Sequence, residues 1–235
     1  AEEDWARIHK KLNNKPVRPE PRKPREHQVK AINAAQKHFV KEKASRGRLI
    51  MPCGTGKSLT AFWIANAVKA KSVIVAVPSL YLIKQSLADW TKEFVALNEN
   101  PRPEWLVICS DESTTNLDKD EFVSDTYSLG IPTTTSLEKI GTFLNEKHKG
   151  RKIIFTTYQS SEKLARAAEK CGFKFDLAIL DESHKTVGEK SKSFATLLSD
   201  KNIAVSKRMF MTATERVVRG QNDDVYSMDD EDIYG

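Results

Sequence analysis

At 235 residues, with 39% hydrophobic and 30% charged residues, the chain reads as a folded, soluble globular protein of one large domain or two small ones. No apolar run approaches the roughly 20 residues needed to cross a bilayer, and Ala1-Glu2-Glu3-Asp4-Trp5 lacks the basic-then-apolar pattern of a signal peptide. The formal charge of +6 hides an asymmetry: Gly220 to Gly235 holds six acidic residues and no Lys or Arg, which leaves about +12 on the rest. The start lacks an initiator methionine, which points to a piece of something longer. Three cysteines, Cys53, Cys109 and Cys171, are scattered and odd in number. They form neither a disulfide framework nor a zinc site and imply a reducing, cytoplasmic compartment.

In chain order, residues 1–23 form a basic arm. Arg7 to Arg25 carries eight basic residues against Glu20, with four prolines at Pro16, Pro19, Pro21 and Pro24. Such a segment is extended and suits either a phosphate backbone or a linker to an upstream domain. A helix opens at Pro24-Arg25-Glu26-His27-Gln28, with Val29, Ile32, Ala35 and Phe39 as its apolar face. A short strand, Arg48 to Met51, leads into Met51-Pro52-Cys53-Gly54-Thr55-Gly56-Lys57-Ser58 and a helix over Leu59–Ala70 that is apolar on most sides. Ser72 to Val77 is a β-branched run suited to a central parallel strand. Pro78 ends it, and Leu80 to Leu97 is an amphipathic helix. Strands follow at Glu104–Cys109, Lys152–Thr156, Phe175–Leu180 and Lys207–Met211. Helices are predicted over Ser136–Lys149 and Ser160–Lys170, with a short piece over Ser193–Ser199 and a long loop over 110–132. Alternating strands and helices predict an α/β fold with a mainly parallel sheet covered on both faces.

Strand, glycine-bearing turn and helix around Gly54 and Gly56 form the setting of a phosphate-binding loop. Its backbone N–H groups and helix N-terminus cradle anions. Lys57 would reach the β- and γ-phosphates, and Ser58 would ligate Mg²⁺. The strict pattern asks for glycine where this chain has Met51. In such folds ligands sit at the carboxyl ends of strands, and Asp181-Glu182-Ser183-His184 directly follows a buried strand. An acidic pair there needs a cation, water or partner. Asp181 suits the Mg²⁺ shell, Glu182 the attacking water, and His184 a hydrogen bond to a neighbouring element. Thr212-Ala213-Thr214 ends the last strand in the same manner.

In this order, the phosphate loop, Asp-Glu-x-His and Thr-Ala-Thr resemble the first RecA-like lobe of a superfamily-two helicase or translocase, over about residues 24–218. The resemblance implies ATP and Mg²⁺ as cofactors, with Cys53, Gly54, Thr55, Gly56, Lys57 and Ser58 on the phosphates and Lys57, Asp181, Glu182 and His184 in catalysis. It implies that Arg25 and Gln28 read adenine. Pro78, Ser79 and Gln85, and Thr157, Tyr158, Gln159 and Ser160, would contact a nucleic-acid backbone, with Thr212 and Thr214 in coupling. Such contacts do not separate DNA from RNA. The loop, Thr157-Tyr158-Gln159-Ser160, Asp181-Glu182-Ser183-His184-Lys185-Thr186 and Ser227-Met228-Asp229-Asp230 with Tyr234-Gly235 are most similar to the motor of single-polypeptide restriction enzymes and related phage helicases. Partners would then be DNA, a second RecA-like lobe, and nuclease or methyltransferase domains. Residues 219–235 would begin the inter-lobe connection. Lacking a second lobe with its arginine fingers, these residues are expected to bind ATP but hydrolyse it slowly. Two alternatives are a nucleotide-dependent nucleic-acid-binding switch without turnover and an RNA helicase lobe. A small-molecule kinase would require neither the Thr-Ala-Thr nor the Tyr-Gln-Ser element.

Overall fold

The computed structural model describes residues 19–109, 133–189, 193–217 and 225–235. The loop predicted over 110–132 and most of the basic arm lie outside the described residues. The core is a six-stranded, wholly parallel sheet of β1 (Arg46–Ile50), β2 (Ser72–Val77), β3 (Glu104–Ile108), β4 (Lys152–Thr157), β5 (Leu177–Leu180) and β7 (Arg208–Thr212). Across the sheet the order is β1-β7-β5-β2-β4-β3. Two residues each of β6 (Gly188–Glu189) and β8 (Val225–Tyr226) pair antiparallel apart from it.

Every residue of β2, β4, β5 and β7 is buried, as required when helices cover both faces of a parallel sheet. Successive side chains of β2 part to opposite faces. Val73, Val75 and Val77 join the core with Phe62, Trp90, Phe94 and Phe155, while Ile74 and Ala76 join Tyr158, Leu164, Phe175 and Phe210. The first face is covered by α1 (Glu26–Gln36), α2 (Lys57–Ala67) and α3 (Leu80–Leu97). The second is covered by α4 (Leu137–Asn145), α5 (Ser161–Cys171) and the short C-terminal α6 (Glu231–Tyr234). No helix among the described residues is long and apolar enough to cross a membrane.

Local signals set several boundaries. The α3 helix begins after Ser79, whose hydroxyl accepts from the Leu82 N–H, and ends at Asn98 in the left-handed region. Gly172, also left-handed, ends α5. The apolar face expected for the first helix is offset. Val29 is 40% exposed, whereas Gln28 and Phe39 are buried and Ile32 and Ala35 are half-buried against the core. The inward stripe therefore runs 28, 32, 35, 39 at helical spacing, and its first member is polar because it faces the loop after β1. A π-helical turn, Lys37–Lys41, follows this helix.

The acidic C-terminal segment is part of the lobe's packing. Met228 and Tyr234 are fully buried in the same cluster as Phe210, Arg46 donates to the Ile233 carbonyl (2.7 Å) and Arg48 to that of Met228 (2.8 Å).

Candidate functional site

Strand order assembles the site. Because β7 lies between β1 and β5, the loop after β1, Thr212 at the end of β7 and Asp181 after β5 become neighbours at the carboxyl edge. The Met51 N–H donates to the Thr212 carbonyl (3.0 Å) and the Asp181 N–H to that of Ala76 (2.9 Å). On the other side, β2 and β4 run in register to Val77 and Thr157, which sets Pro78-Ser79 beside Tyr158–Ser160.

The loop closes without its first glycine. Met51 is buried and has no positive φ, so a side chain is tolerated there, and its carbonyl accepts from Lys57 Nζ (3.4 Å). Gly54 (φ +75) and Gly56 (φ +84) do adopt the left-handed region. A Cβ on Gly56 would also come within 2.7 Å of Gln28 Nε2. That amide donates to the Thr55 carbonyl (3.1 Å), its oxygen accepts from the Arg25 N–H (2.8 Å), and His27 Nε2 lies 3.2 Å from the same Thr55 carbonyl. Gln28 thus braces the loop backbone, while Arg25 is exposed. Cys53 is exposed at the loop tip.

Lys57 Nζ also lies 3.8 Å from Glu182 Oε1, so the lysine and the acidic motif face one another. Asp181 is buried, and burial, reinforced by the Glu182 charge, pushes its carboxyl up to about 6; the Glu182 N–H and Lys57 oppose the rise. Glu182 stands in the left-handed region (φ +50, ψ 44), a conformation that costs a non-glycine residue about 1–3 kcal/mol and concentrates at functional sites. His184 Nδ1 lies 3.3 Å from Glu182 Oε2 and 3.0 Å from Thr212 Oγ1. The Thr212 hydroxyl donates to the Thr214 carbonyl (2.8 Å) and accepts from the Thr214 N–H (3.2 Å). Its one proton is therefore used, and His184 Nδ1 carries the hydrogen that it donates. Burial holds the imidazole below its usual pKa, with Glu182 opposing, which favours this neutral tautomer.

Ser58 Oγ is one of the few buried side-chain oxygens among the described residues that has no hydrogen-bond partner. A buried hydroxyl left bare needs an explanation, and a hard cation supplies one. No group of three or more His, Cys, Asp or Glu that could hold a metal ion occurs among the described residues. A single hydroxyl and a buried carboxylate fit Mg²⁺, which takes one or two protein oxygens and completes its shell with phosphates and water.

The remaining candidates are placed as follows. Gln85 and Gln159 are exposed; Pro78, Ser79, Thr157, Tyr158 and Ser160 are buried. The Thr157 hydroxyl accepts from the Ser160 N–H (3.3 Å), and Tyr158 donates to the Asp181 carbonyl (2.7 Å). In this structure the Thr-Tyr-Gln-Ser segment therefore turns one side chain, Gln159, to solvent and three inward. Sequence reasoning missed Trp90, whose Nε1 donates to the Ser58 carbonyl (3.0 Å); in the sequence it is only an aromatic position of an amphipathic helix, without any sign of the partner. Tyr234, which the sequence marked only as part of the Tyr234-Gly235 likeness, places its hydroxyl 2.9 Å from Thr186 Oγ1.

A family described as type III restriction enzyme, res subunit (ResIII), matches residues 22–216. The probable helicase A859L of African swine fever virus (isolate Tick/Malawi/Lil 20-1/1983) is 28% identical over 195 residues, which is 83% of this chain and 19% of that protein. Among solved structures, the chain is similar to a nuclease-deletion mutant of the Type ISP restriction-modification enzyme LlaGI in complex with a DNA substrate mimic, with a TM-score of 0.68, 29% identity, and coverage of 91% of this chain and 19% of the other. It is also similar to the ATP-dependent Type ISP restriction-modification enzyme LlaBIII bound to DNA, with a TM-score of 0.70, 28% identity, and coverage of 92% and 15%. The chain thus spans less than a fifth of the length of each of these three proteins.

Proposed function

The chain belongs to the ResIII family of type III restriction-enzyme res subunits, and from that premise we propose that it is the first RecA-like ATPase lobe of a DNA helicase or translocase, acting in the cytoplasm within a restriction or phage-defence enzyme. The observation that carries this reading is the meeting of Lys57 and Glu182 across the carboxyl edge (3.8 Å), beside the partnerless Ser58 hydroxyl and the buried Asp181.

In the proposed mechanism the loop N–H groups and Lys57 hold the β- and γ-phosphates of ATP. Ser58 and Asp181 would hold Mg²⁺, which supplies neutralisation of phosphate charge. An incoming phosphate competes with Glu182 for Lys57 and so frees that carboxylate. Glu182 then accepts the proton of the water that attacks the γ-phosphorus, as the bond to the bridging oxygen breaks and ADP leaves; His184, held by its hydrogen bond to Thr212, lies beside Glu182. Lys57→Ala should weaken binding of a fluorescent ATP analogue by about tenfold or more, the effect of removing a charge-assisted hydrogen bond. Glu182→Gln should bind the analogue yet lose hydrolysis. An analogue that does not bind, or that binds Lys57→Ala unchanged, overturns the reading.

Because LlaGI and LlaBIII are solved with DNA or its mimic, DNA is the proposed polymer, contacted from Gln85 and Gln159 and from the turns at Pro78-Ser79 and Thr157–Ser160 without reading sequence. Competition between single-stranded DNA, duplex DNA and RNA of equal length tests this choice. The catalytic groups that oppose Lys57 across the nucleotide are proposed to come from a second RecA-like lobe. Since an arginine finger contributes about three to five orders of magnitude in rate, these 235 residues alone should hydrolyse ATP slowly. A brisk, nucleic-acid-stimulated ATPase from them overturns that part.

A further inference from the structure

Two buried aromatic side chains share an unusual target. Trp90, in the middle of α3, is 1% exposed and packs edge-on against Phe62 and Phe155; its Nε1–H donates to the main-chain carbonyl of Ser58 at 3.0 Å. Tyr158, at the turn into α5, is fully buried, and its hydroxyl donates to the main-chain carbonyl of Asp181 at 2.7 Å. A buried indole or phenol needs some acceptor. Here each takes the carbonyl of one of the two residues proposed to hold the divalent cation, and the two arrive from opposite faces of the sheet. A hydrogen bond to a residue's own carbonyl fixes the peptide that carries its side chain, and ligand oxygens must sit within a fraction of an ångström for Mg²⁺, which demands near-ideal geometry.

We infer that Trp90 and Tyr158 are positioning residues for the divalent cation, anchoring Ser58 and Asp181 to α3 and to the Thr157–Ser160 turn. This rests on the ATPase-lobe reading. It also makes the cation site a product of the same two elements that present Gln85 and Gln159 to solvent.

The test uses Trp90→Phe and Tyr158→Phe in the whole chain. Phenylalanine keeps the ring of tyrosine and most of the indole's bulk, and removes the donor. The readout is binding of a fluorescent ATP analogue as Mg²⁺ is titrated, with no turnover involved. Each variant should need about three- to tenfold more Mg²⁺ for half-maximal tightening, the effect of one net hydrogen bond, while affinity without Mg²⁺ stays at the wild-type value. An unchanged Mg²⁺ requirement in both variants overturns the inference and leaves the ATPase-lobe reading standing. Equal loss with and without Mg²⁺ also overturns it, because the side chains would then support the fold rather than the cation. If the wild-type chain binds no nucleotide, the ATPase-lobe reading fails first and this inference with it.

Discussion

Asp181 shows what the candidate site asks of a single residue. Its carboxyl is pushed up to about 6 chiefly by burial, so the ionised form that the proposed cation would require is the form that burial disfavours. The native state then holds its proton more tightly than the unfolded chain. Stability from this group is present at low pH and is lost as pH rises from the ordinary carboxyl value of 3.8 through about 6. At neutral pH and without divalent cation, Asp181→Asn should therefore be more stable than wild type by about 1–3 kcal/mol. That gap should close at pH values below 3.8. Urea unfolding with chelator across this range checks it, and a variant less stable than wild type at neutral pH sinks the account. Much of the candidate site was legible at this scale, because Gly54-Thr55-Gly56-Lys57-Ser58 and Asp181-Glu182-Ser183-His184 are contiguous and carry their chemistry locally. Gln28 stood out in the sequence as a candidate for reading adenine and not as a brace of the loop, since its partner Thr55 lies 27 residues on. Trp90 and Tyr158 were not legible as donors to Ser58 and Asp181, because only strand order and helix packing choose their acceptors.

Helices and strands differ in where their limits come from. The α3 helix spans the predicted Leu80–Leu97 because Pro78, Ser79 and Asn98 mark its ends within the chain itself. By contrast α4 stops at Asn145, four residues before the predicted end. Its last carbonyls are taken by a side chain from the next strand: Lys152 Nζ donates to the carbonyls of Phe143, Leu144 (3.1 Å) and Glu146. A cation at a helix C-terminus satisfies orphan carbonyls and the dipole together. Lys152 is buried, and desolvation lowers its pKa against the pull of Glu104 and Glu146. Lys152→Met retains the stem and removes the donors, so it should destabilise the fold by about 1–3 kcal/mol. Amide exchange should quicken first in Leu137–Asn145. Uniform quickening across the sheet would instead mean that Lys152 acts on the core rather than as a cap. The β6–β8 pair has the opposite character: with two residues in each strand, no periodicity exists to read, and tertiary docking alone sets it.

At the scale of the whole molecule, the carboxyl edge is fixed by a sheet whose order places β7 between β1 and β5, and the segment after β7 completes one face of that sheet. The resemblance implies that the acidic residues 219–235 begin a connection between lobes, and the Asp and Glu residues between 229 and 232 stay at the surface. The two side chains that matter are the apolar ones set among them. Met228 and Tyr234 are fully buried, Tyr234 packs against Phe210 with ring centroids 4.9 Å apart, and its hydroxyl meets Thr186, which also donates to the Ser183 carbonyl (2.6 Å). The segment thus leans on the 3₁₀ turn Ser183–Thr186 that carries His184. Removing a large buried side chain costs about 2–5 kcal/mol, and two such losses approach the whole stability of an ordinary domain, about 5–15 kcal/mol. A chain ending at Val217 should therefore unfold at a much lower urea concentration than the 235-residue chain and show a weakened near-ultraviolet signal from its aromatic core. Tyr234→Phe, which keeps the ring against Phe210 and loses only the bond to Thr186, should fall by no more than about 1–2 kcal/mol. If the shortened chain keeps the wild-type midpoint, the packing of Met228 and Tyr234 contributes nothing to the lobe, and the unit that folds ends at β7.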